Sequence, residues 1–243
     1  MELLGAEETR ARLPYMDLAE SIREVALERG SGGVNAPART ALPLPEGGVL
    51  LVMPASGGGL AITKLATVHP ENASGGLPTI QGEVVVMEAS TGRRLGLLDG
   101  GVVTARRTAA LSLLAARELA PRPNGPLLVV GSGTQGRAHL EAFHEGLGTS
   151  RVFLSSRTRG RAEALAEDAE RLGLEARVIE EPGEALDEAS LVVTATTSRE
   201  PVLPDGVAED AFVAAVGSFE PGAAELPAGL VGRAAVVVDT LEG

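Results

Sequence analysis

The chain has 243 residues, enough for one or two domains, and contains no cysteine, which excludes disulfides, thiolate nucleophiles and zinc–thiolate sites. Its 33 acidic against 21 basic residues give a net charge of -12, and aromatic residues are only 2% of the chain, so no nucleic-acid partner is expected. The chain shows neither a basic, apolar signal segment nor a run of about 18 apolar residues, so we expect a cytoplasmic protein without a membrane partner.

The first half of the chain predicts an α+β domain. Apolar residues at helical spacing indicate a helix over residues 15–29. Short apolar runs between glycine-rich turns indicate strands, and they lie at 48–53, 60–68 and 83–89. A strongly apolar helix is then expected over residues 104–119.

A proline-rich segment separates this half from the next. Three prolines in residues 120–126 cannot continue the preceding helix. We therefore predict two domains, a substrate-binding and dimerisation domain over residues 1–123 and a nucleotide-binding domain over residues 124–243.

The second half alternates strands and helices. Short apolar runs indicate six strands, at residues 127–130, 151–155, 176–179, 191–194, 212–216 and 235–238. Amphipathic helices follow the first two strands, and a short helix is expected near Ala185. This pattern predicts an α/β fold, a Rossmann domain with a doubly wound parallel sheet.

A glycine-rich loop follows the first of these strands and opens the next helix, with the sequence Gly131-Ser132-Gly133-Thr134-Gln135-Gly136. In this context the spacing G-x-G-x-x-G is typical of dinucleotide binding. Gly131 would permit the tight turn, Gly133 would let the backbone approach the pyrophosphate, and Gly136 would let helix and strand pack closely. The helix N-terminus would then bind phosphate oxygens.

The end of the second strand distinguishes the two nicotinamide cofactors. A carboxylate at this position would bind the ribose 2′-hydroxyl of NADH, but the chain has Ser156, Arg157 and Thr158 instead. These side chains could donate hydrogen bonds to a 2′-phosphate, which favours NADPH while leaving NADH possible. The alternative for Arg157 is a solvated arginine at a helix start.

The ends of the fourth and fifth strands bring further candidates to the carboxyl edge of the sheet, where ligands bind in open α/β folds. They are Thr196, Thr197, Val216 and Gly217. The alternative for the threonines is a simple turn hydroxyl. No metal site is predicted, because His139 and His144 are five residues apart and no H-E-x-x-H motif occurs.

Three basic residues of the first half lie among apolar neighbours: Arg39, Lys64 and Arg107. Alternation puts Lys64 on one strand face with Ile62 and Ala66, where a lysine is unusual. Each could be a surface base whose stem covers apolar neighbours. Together they suggest a pocket for a carboxylate.

Several motifs in order give the chain a resemblance to the ornithine cyclodeaminase and mu-crystallin family over essentially its whole length. The matching stretches are Ala38-Arg39-Thr40, residues 64–72, Gly76-Leu77-Pro78-Thr79, Leu98-Asp99-Gly100, residues 104–108, the glycine loop and Val216-Gly217-Ser218.

The resemblance implies roles for these residues. Arg39, Lys64 and Arg107 would bind the substrate carboxylate and the reacting carbon, with Lys64 as the catalytic residue. The nucleotide contacts implied are Thr79, Thr134, Gln135, Ser156, Thr197, Val216 and Gly217. Relatives suggest a homodimer built through the first domain. They also continue past the Val-Val-Asp-Thr stretch, so a chain ending at Gly243 would lack one wall of the nicotinamide pocket.

Phe219 decides between branches of the family. Cyclodeaminases of the family carry an aspartate that assists ornithine cyclisation, and Phe219 stands at the matching position. The chain therefore resembles the branch that reduces Δ1-pyrroline-2-carboxylate or Δ1-piperideine-2-carboxylate to proline or pipecolate. The alternatives are an ornithine cyclodeaminase and a non-catalytic, crystallin-like NADPH-binding protein.

Overall fold

The computed structural model describes residues 1–218 and 222–239. They form two compact units, the first over Met1–Leu111 and the second from Ser112 onwards, and each is described by itself. No helix among the described residues is both long enough and apolar enough to cross a membrane.

The first unit contains a six-stranded sheet in the order β1-β6-β5-β4-β3-β2. Its strands are β1 (Glu2–Leu4), β2 (Thr40–Pro43), β3 (Val49–Gly57), β4 (Leu60–Val68), β5 (Ile80–Glu88) and β6 (Arg94–Asp99). Its helices are α1 (Ala6–Ala11), α2 (Tyr15–Gly30) and the first part of α3 (Gly100–Leu119). The strands pair antiparallel except for β1, which is parallel to β6. The predicted α+β character is confirmed.

The strand register separates the two faces of this sheet. Lys64 pairs with Met53 and Val84, whereas Leu65 pairs with Val52 and Glu83 on the two neighbouring strands. Because consecutive side chains of a strand point to opposite faces, Lys64 and Leu65 lie on different faces.

The second unit contains a five-stranded parallel sheet in the order β11-β10-β7-β8-β9. Its strands are β7 (Leu127–Val130), β8 (Arg151–Ser155), β9 (Glu175–Val178), β10 (Leu191–Thr194) and β11 (Phe212–Ala215). Its further helices are α4 (Thr134–Leu147), α5 (Arg159–Arg171) and α6 (Ala228–Arg233), with a 3-10 turn at Pro182–Ala185. Every residue of β7 and β10 is buried, as expected for central strands of a sheet covered on both faces. The Rossmann prediction is confirmed.

The predicted sixth strand, at residues 235–238, is wrong. This segment forms no strand, and Val236, Val237 and Val238 are 61%, 70% and 56% exposed. Consecutive valines favour an extended backbone, but a strand also needs a hydrogen-bonding neighbour. Sequence analysis also missed β1, β2 and β6, which are short strands held by their partners in the sheet.

The division between the units lies inside α3, whereas the predicted boundary lies in the proline segment after it. The second half of α3 belongs to the second unit because its buried side chains pack there. Leu113 is fully buried, and a Cβ on Gly146 of α4 would lie 2.5 Å from the Leu113 side chain. The glycine therefore lets α4 approach α3 closely.

His139 of α4 forms a second connection to α3. The side chain is fully buried, with Nδ1 2.8 Å from the carbonyl oxygen of Gln135 and Nε2 3.0 Å from Oγ of Ser112. A neutral ring satisfies both contacts when Nδ1–H donates to the carbonyl and Nε2 accepts from the serine hydroxyl. Burial lowers the pKa of His139 to about 4.

This shift predicts a loss of stability in acid. The unfolded chain binds a proton on His139 below pH of about 6.5, and the folded chain does so only near pH 4. The contribution of neutral, buried His139 to the free energy of unfolding is therefore complete above pH of about 6.5 and is lost as the pH falls towards 4. Between pH 7 and 4.5 we expect the free energy of unfolding to fall by about 2 kcal/mol through this group.

Urea denaturation at the two pH values measures this effect. His139→Gln should remove most of that pH dependence, whereas His144→Gln, at a half-buried position on the same helix, should retain it. An unchanged pH dependence in His139→Gln would contradict the assignment.

Candidate functional site

The glycine loop occupies the carboxyl edge of the second unit's sheet. Gly131 has a φ of 111°, and a Cβ there would lie 2.4 Å from the carbonyl oxygen of Ala195. Its N–H donates to the carbonyl oxygen of Ser155 at 2.9 Å. The turn is therefore held between the ends of β8 and β10, and only glycine fits it.

The other two glycines of the motif have different tasks. A Cβ on Gly136 would lie 1.9 Å from the carbonyl oxygen of Gly131, so α4 packs directly on the loop. Gly133 is the N-cap of α4, and no atom lies within 4 Å of the position its Cβ would take. The space in front of the first turn of α4 is therefore open.

This geometry fits a pyrophosphate group. The first N–H groups of a helix have no acceptor within the helix, so phosphate oxygens can accept from them. Thr134 and Gln135, the first two residues of α4, lie at this open end as predicted. Gln135 Oε1 is buried and has no hydrogen-bond partner among the residues that the structure describes.

A cavity of about 210 Å³ lies beside the ends of β8 and β9. Ser156 lines it and accepts a hydrogen bond from Oγ of Ser132 at 2.9 Å, which joins the cavity to the glycine loop. Arg157 and Arg159 also line it. Arg159 forms ion pairs with Glu163 and Glu180, whereas no ion pair of Arg157 is found among the described residues. The predicted alternative of a solvated arginine thus still stands for Arg157, which is exposed.

Thr158, the third residue predicted to face a 2′-phosphate, lies outside this cavity. It is exposed, does not line the cavity, and forms the N-cap of α5, where its carbonyl accepts the N–H of Arg161 at 3.0 Å. Its contact with a nucleotide remains a prediction.

At the other side of β7, the ends of β10 and β11 converge on a buried carboxylate. Glu225 is only 2% exposed and accepts hydrogen bonds from Thr194, Thr196 and Gly217. A Cβ on Gly217 would lie 2.1 Å from the carbonyl oxygen of Thr196, so the two strand ends are in direct contact. The structure therefore brings Thr196 and Gly217 together, as predicted for the carboxyl edge.

Glu225 was missed by sequence analysis. It lies in the stretch Ala223-Ala224-Glu225-Leu226-Pro227, which has no motif and no helical or strand periodicity. A single acidic residue in such a segment is usually exposed, so no signal in the sequence indicated burial. The neighbouring Val216 and Thr197 lie at the same strand ends, half-buried and exposed respectively.

In the first unit, the side chain of Lys64 forms a hydrogen bond to the first turns of α3. Its Nζ donates to Oγ1 of Thr104 at 3.2 Å, and that hydroxyl donates to the carbonyl oxygen of Gly100 at 2.6 Å. Burial lowers the pKa of Lys64 below its usual value, and the like charges of Arg107 and Arg39 lower it further. The structure thus brings the three predicted basic residues into one cluster, and the predicted direction of the pKa shift is found.

The two adjacent arginines of α3 are used differently. Arg106 is buried, its Nε donates to the carbonyl oxygen of Leu13 at 2.5 Å, and its guanidinium lies 3.6 Å from the centre of the Tyr15 ring. Such stacking stabilises the unit itself. Arg107 is exposed, and its positive charge helps to lower the pKa of Lys64.

The remaining predicted residues do not extend these clusters. Thr79 lies in the first unit, in the bend before β5, where its carbonyl accepts the N–H of His69 at 2.8 Å. Phe219 lies outside the described residues. Over residues 1–218 and 222–239 no group of three acidic or histidine side chains could hold a metal ion.

Comparison with known proteins gives one family. The chain matches the model of the ornithine cyclodeaminase/mu-crystallin family over residues 2–243. Delta(1)-pyrroline-2-carboxylate reductase 1 of Burkholderia multivorans is 38% identical over 246 residues, covering 99% of this chain and 77% of the relative.

Solved structures of this type superpose closely. Thermococcus litoralis Delta(1)-pyrroline-2-carboxylate reductase, in complex with NADH and L-proline, has a TM-score of 0.92 at 29% identity, covering 100% of this chain and 77% of that one. An archaeal alanine dehydrogenase dimer with bound NAD has a TM-score of 0.90 at 29% identity, covering 100% and 75%. The motifs, the fold and these matches agree: the chain belongs to the ornithine cyclodeaminase/mu-crystallin family.

Proposed function

We propose that the protein is an NAD(P)H-dependent reductase of a cyclic ketimine carboxylate. Its substrate is Δ1-pyrroline-2-carboxylate or Δ1-piperideine-2-carboxylate, and its product is proline or pipecolate. The observation that carries this proposal is the cluster of Lys64, Arg39 and Arg107 in a chain that also has the open glycine loop. The names of its relatives, including a reductase solved with NADH and L-proline, support the same reaction.

The three basic residues suit an anionic imine. Guanidinium groups bind carboxylates through paired hydrogen bonds, so Arg39 and Arg107 would hold the substrate carboxylate. A bound reduced nicotinamide would supply the hydride for the imine carbon. Lys64 would stabilise charge near the imine nitrogen or donate a proton to it, and its lowered pKa makes that proton easier to transfer.

Positioning of Lys64 follows from its own contacts. The bond to Thr104 fixes the ammonium group against the start of α3. The Thr104 hydroxyl already donates to the carbonyl of Gly100, so it accepts from Lys64. A held lysine loses less freedom when substrate binds, which favours a defined proton position.

A cofactor-oxidation assay with the five-ring and six-ring imines tests this function. We expect rapid oxidation of NADPH or NADH with at least one imine. Lys64→Ala and Arg107→Ala should each lower kcat/KM at least tenfold. The first removes the positive charge proposed to face the imine nitrogen, and the second removes one that would bind the substrate carboxylate.

Arg94→Ala is a matched control, since it removes an exposed arginine of the same sheet that is outside the cluster, and should leave kcat/KM unchanged. Full activity in Lys64→Ala would contradict the proposal. Release of ammonia from ornithine without net cofactor change would indicate a cyclodeaminase. Tight NADPH binding without turnover of any imine would indicate a non-catalytic binding protein.

We infer that NADPH is the preferred cofactor, on the basis of the cavity beside β8. Two arginines and Glu180 line it, and the carboxylate of Glu180 is paired with Arg159; at the end of β8 itself stands Ser156 rather than a carboxylate. Arg159 is engaged with Glu163 and Glu180, so Arg157 is the better candidate for a 2′-phosphate.

Arg157→Ala should therefore raise the KM for NADPH roughly tenfold or more, the effect of losing one charge-assisted hydrogen bond. The KM for NADH should change less than about twofold, because NADH has no 2′-phosphate. Arg161→Ala, an exposed arginine in the next turn, is the control and should affect neither. Steady-state kinetics with both cofactors give the answer, and an equal loss for both would refute the assignment.

We also propose a homodimer formed through the sheet of the first unit. The face opposite Lys64 carries Leu42, Leu50, Val52 and Leu65, with Glu83 beside Leu65 on the next strand; Leu42 is 54% and Leu65 38% exposed. An apolar patch on a sheet face is typical of an interface. The archaeal alanine dehydrogenase that superposes on this chain is a dimer, which supports a dimeric state. A cytoplasmic location stays a prediction from the sequence.

Sedimentation velocity should give twice the mass of one chain. The double substitution Leu42→Glu and Leu65→Glu should shift the protein to monomer, because it replaces two exposed leucines by charges and puts one of them beside Glu83. Leu172→Glu, at a 44% exposed leucine of the second unit, should leave the mass unchanged. A monomeric unmodified chain would rule out this interface.

A further inference from the structure

We propose that Glu225 is a positioning residue that holds the nicotinamide half of the nucleotide site in its binding shape. The inference rests on the proposed dinucleotide binding. It assigns a task to a buried carboxylate that belongs to no motif and lies in the segment before α6.

The hydrogen bonds of Glu225 join two strand ends symmetrically. Oε1 accepts from the backbone N–H and the hydroxyl of Thr196, both at 2.7 Å. Oε2 accepts from the backbone N–H of Gly217 at 2.7 Å and from the hydroxyl of Thr194 at 3.0 Å. Each oxygen thus receives one backbone and one hydroxyl donor, and a carboxylate can accept all four.

A glutamate side chain suits this arrangement because each of its two oxygens faces a backbone N–H, which can only donate. Among the described residues, no basic side chain bonds to Glu225, so these four donors are what satisfies the buried group. A glutamine has one acceptor oxygen and one NH₂ group. In either orientation its NH₂ would face the backbone N–H of Thr196 or that of Gly217.

The sheet topology indicates which half of a dinucleotide would lie beside the strand ends that Glu225 connects. The strand order reverses at β7, with β8 and β9 on one side and β10 and β11 on the other. Dinucleotides bind across this switch point, so the adenosine half belongs with the cavity at β8 and β9. The nicotinamide half then belongs with Thr196 and Gly217, the groups that Glu225 holds.

The test compares a whole dinucleotide with its adenosine half. Glu225→Gln should weaken the binding of NADPH at least tenfold, because the ends of β10 and β11 separate. Its affinity for adenosine 2′,5′-bisphosphate should stay within about twofold, because that ligand uses only the β8 side. Calorimetric titration of the full chain measures both affinities, and hydrogen exchange should show faster exchange of the Thr196 and Gly217 amides.

Ser190→Ala is the matched control. Ser190 is also fully buried and precedes β10, but at the opposite end of the strand, where its hydroxyl donates to the carbonyl of Arg122 at 3.1 Å. We expect it to lower the thermal stability and to leave both affinities unchanged. Glu225→Asp, which keeps two acceptor oxygens on a shorter side chain, serves if Glu225→Gln does not fold, with the same selective loss expected.

Two results would overturn the role of Glu225 alone: unchanged NADPH affinity in these variants, or an equal loss for both ligands, which is the behaviour of a purely structural residue. Failure of the unmodified chain to bind NADPH, NADH and adenosine 2′,5′-bisphosphate would instead overturn the dinucleotide site and the proposed function with it.

Discussion

The close approach of Gly136 to the carbonyl oxygen of Gly131 is the contact on which the nucleotide site depends. A Cβ at Gly136 would lie only 1.9 Å from that oxygen, so any other residue would push α4 away from β7. This contact sets the open N-terminus of the helix directly above the sheet edge. The same turn fixes Gly131 between Ser155 and Ala195, so that one loop aligns the ends of three neighbouring strands.

The charged groups of the two units lie in different surroundings. In the second unit, a single carboxylate at Glu225 is surrounded by hydrogen-bond donors and lacks a bonded cation among the residues described. Such a group is fully satisfied and rigid, which suits a structural link between strands. In the first unit, Lys64 is close to two arginines and has one hydroxyl acceptor. Like charges in one cluster disfavour one another's charged forms, which fits the carboxylate-binding role that we propose for these three residues. The carboxylate of the second unit thus has its hydrogen-bonding capacity filled, whereas the basic cluster of the first unit is proposed to bind an anion.

Adjacent residues of similar chemistry are separated by the fold. Arg106 and Arg107 are neighbours on α3. Arg106 is stacked on Tyr15 inside the first unit, whereas the charge of Arg107 lowers the pKa of Lys64. A helix turns by about 100° per residue, so neighbouring side chains point in different directions. The roles that the family resemblance implies for Thr79 and Phe219 remain predictions, because one lies in the bend before β5 and the other outside the described residues.

The sequence by itself determined the alternation of strands and helices in the second unit, the glycine loop and the identity of the basic cluster. These features are encoded locally, since apolar periodicity and glycine spacing depend on neighbouring residues. Four strands, at Leu60–Val68, Leu127–Val130, Arg151–Ser155 and Leu191–Thr194, therefore have the predicted bounds. Only the tertiary structure decided that residues 235–238 are not a strand, that α3 is shared by the two units and that Glu225 is buried. Each of these depends on partners distant in the chain: a strand needs a neighbour, a helix is assigned by what it packs against, and a carboxylate can be buried only where donors from other strands meet it.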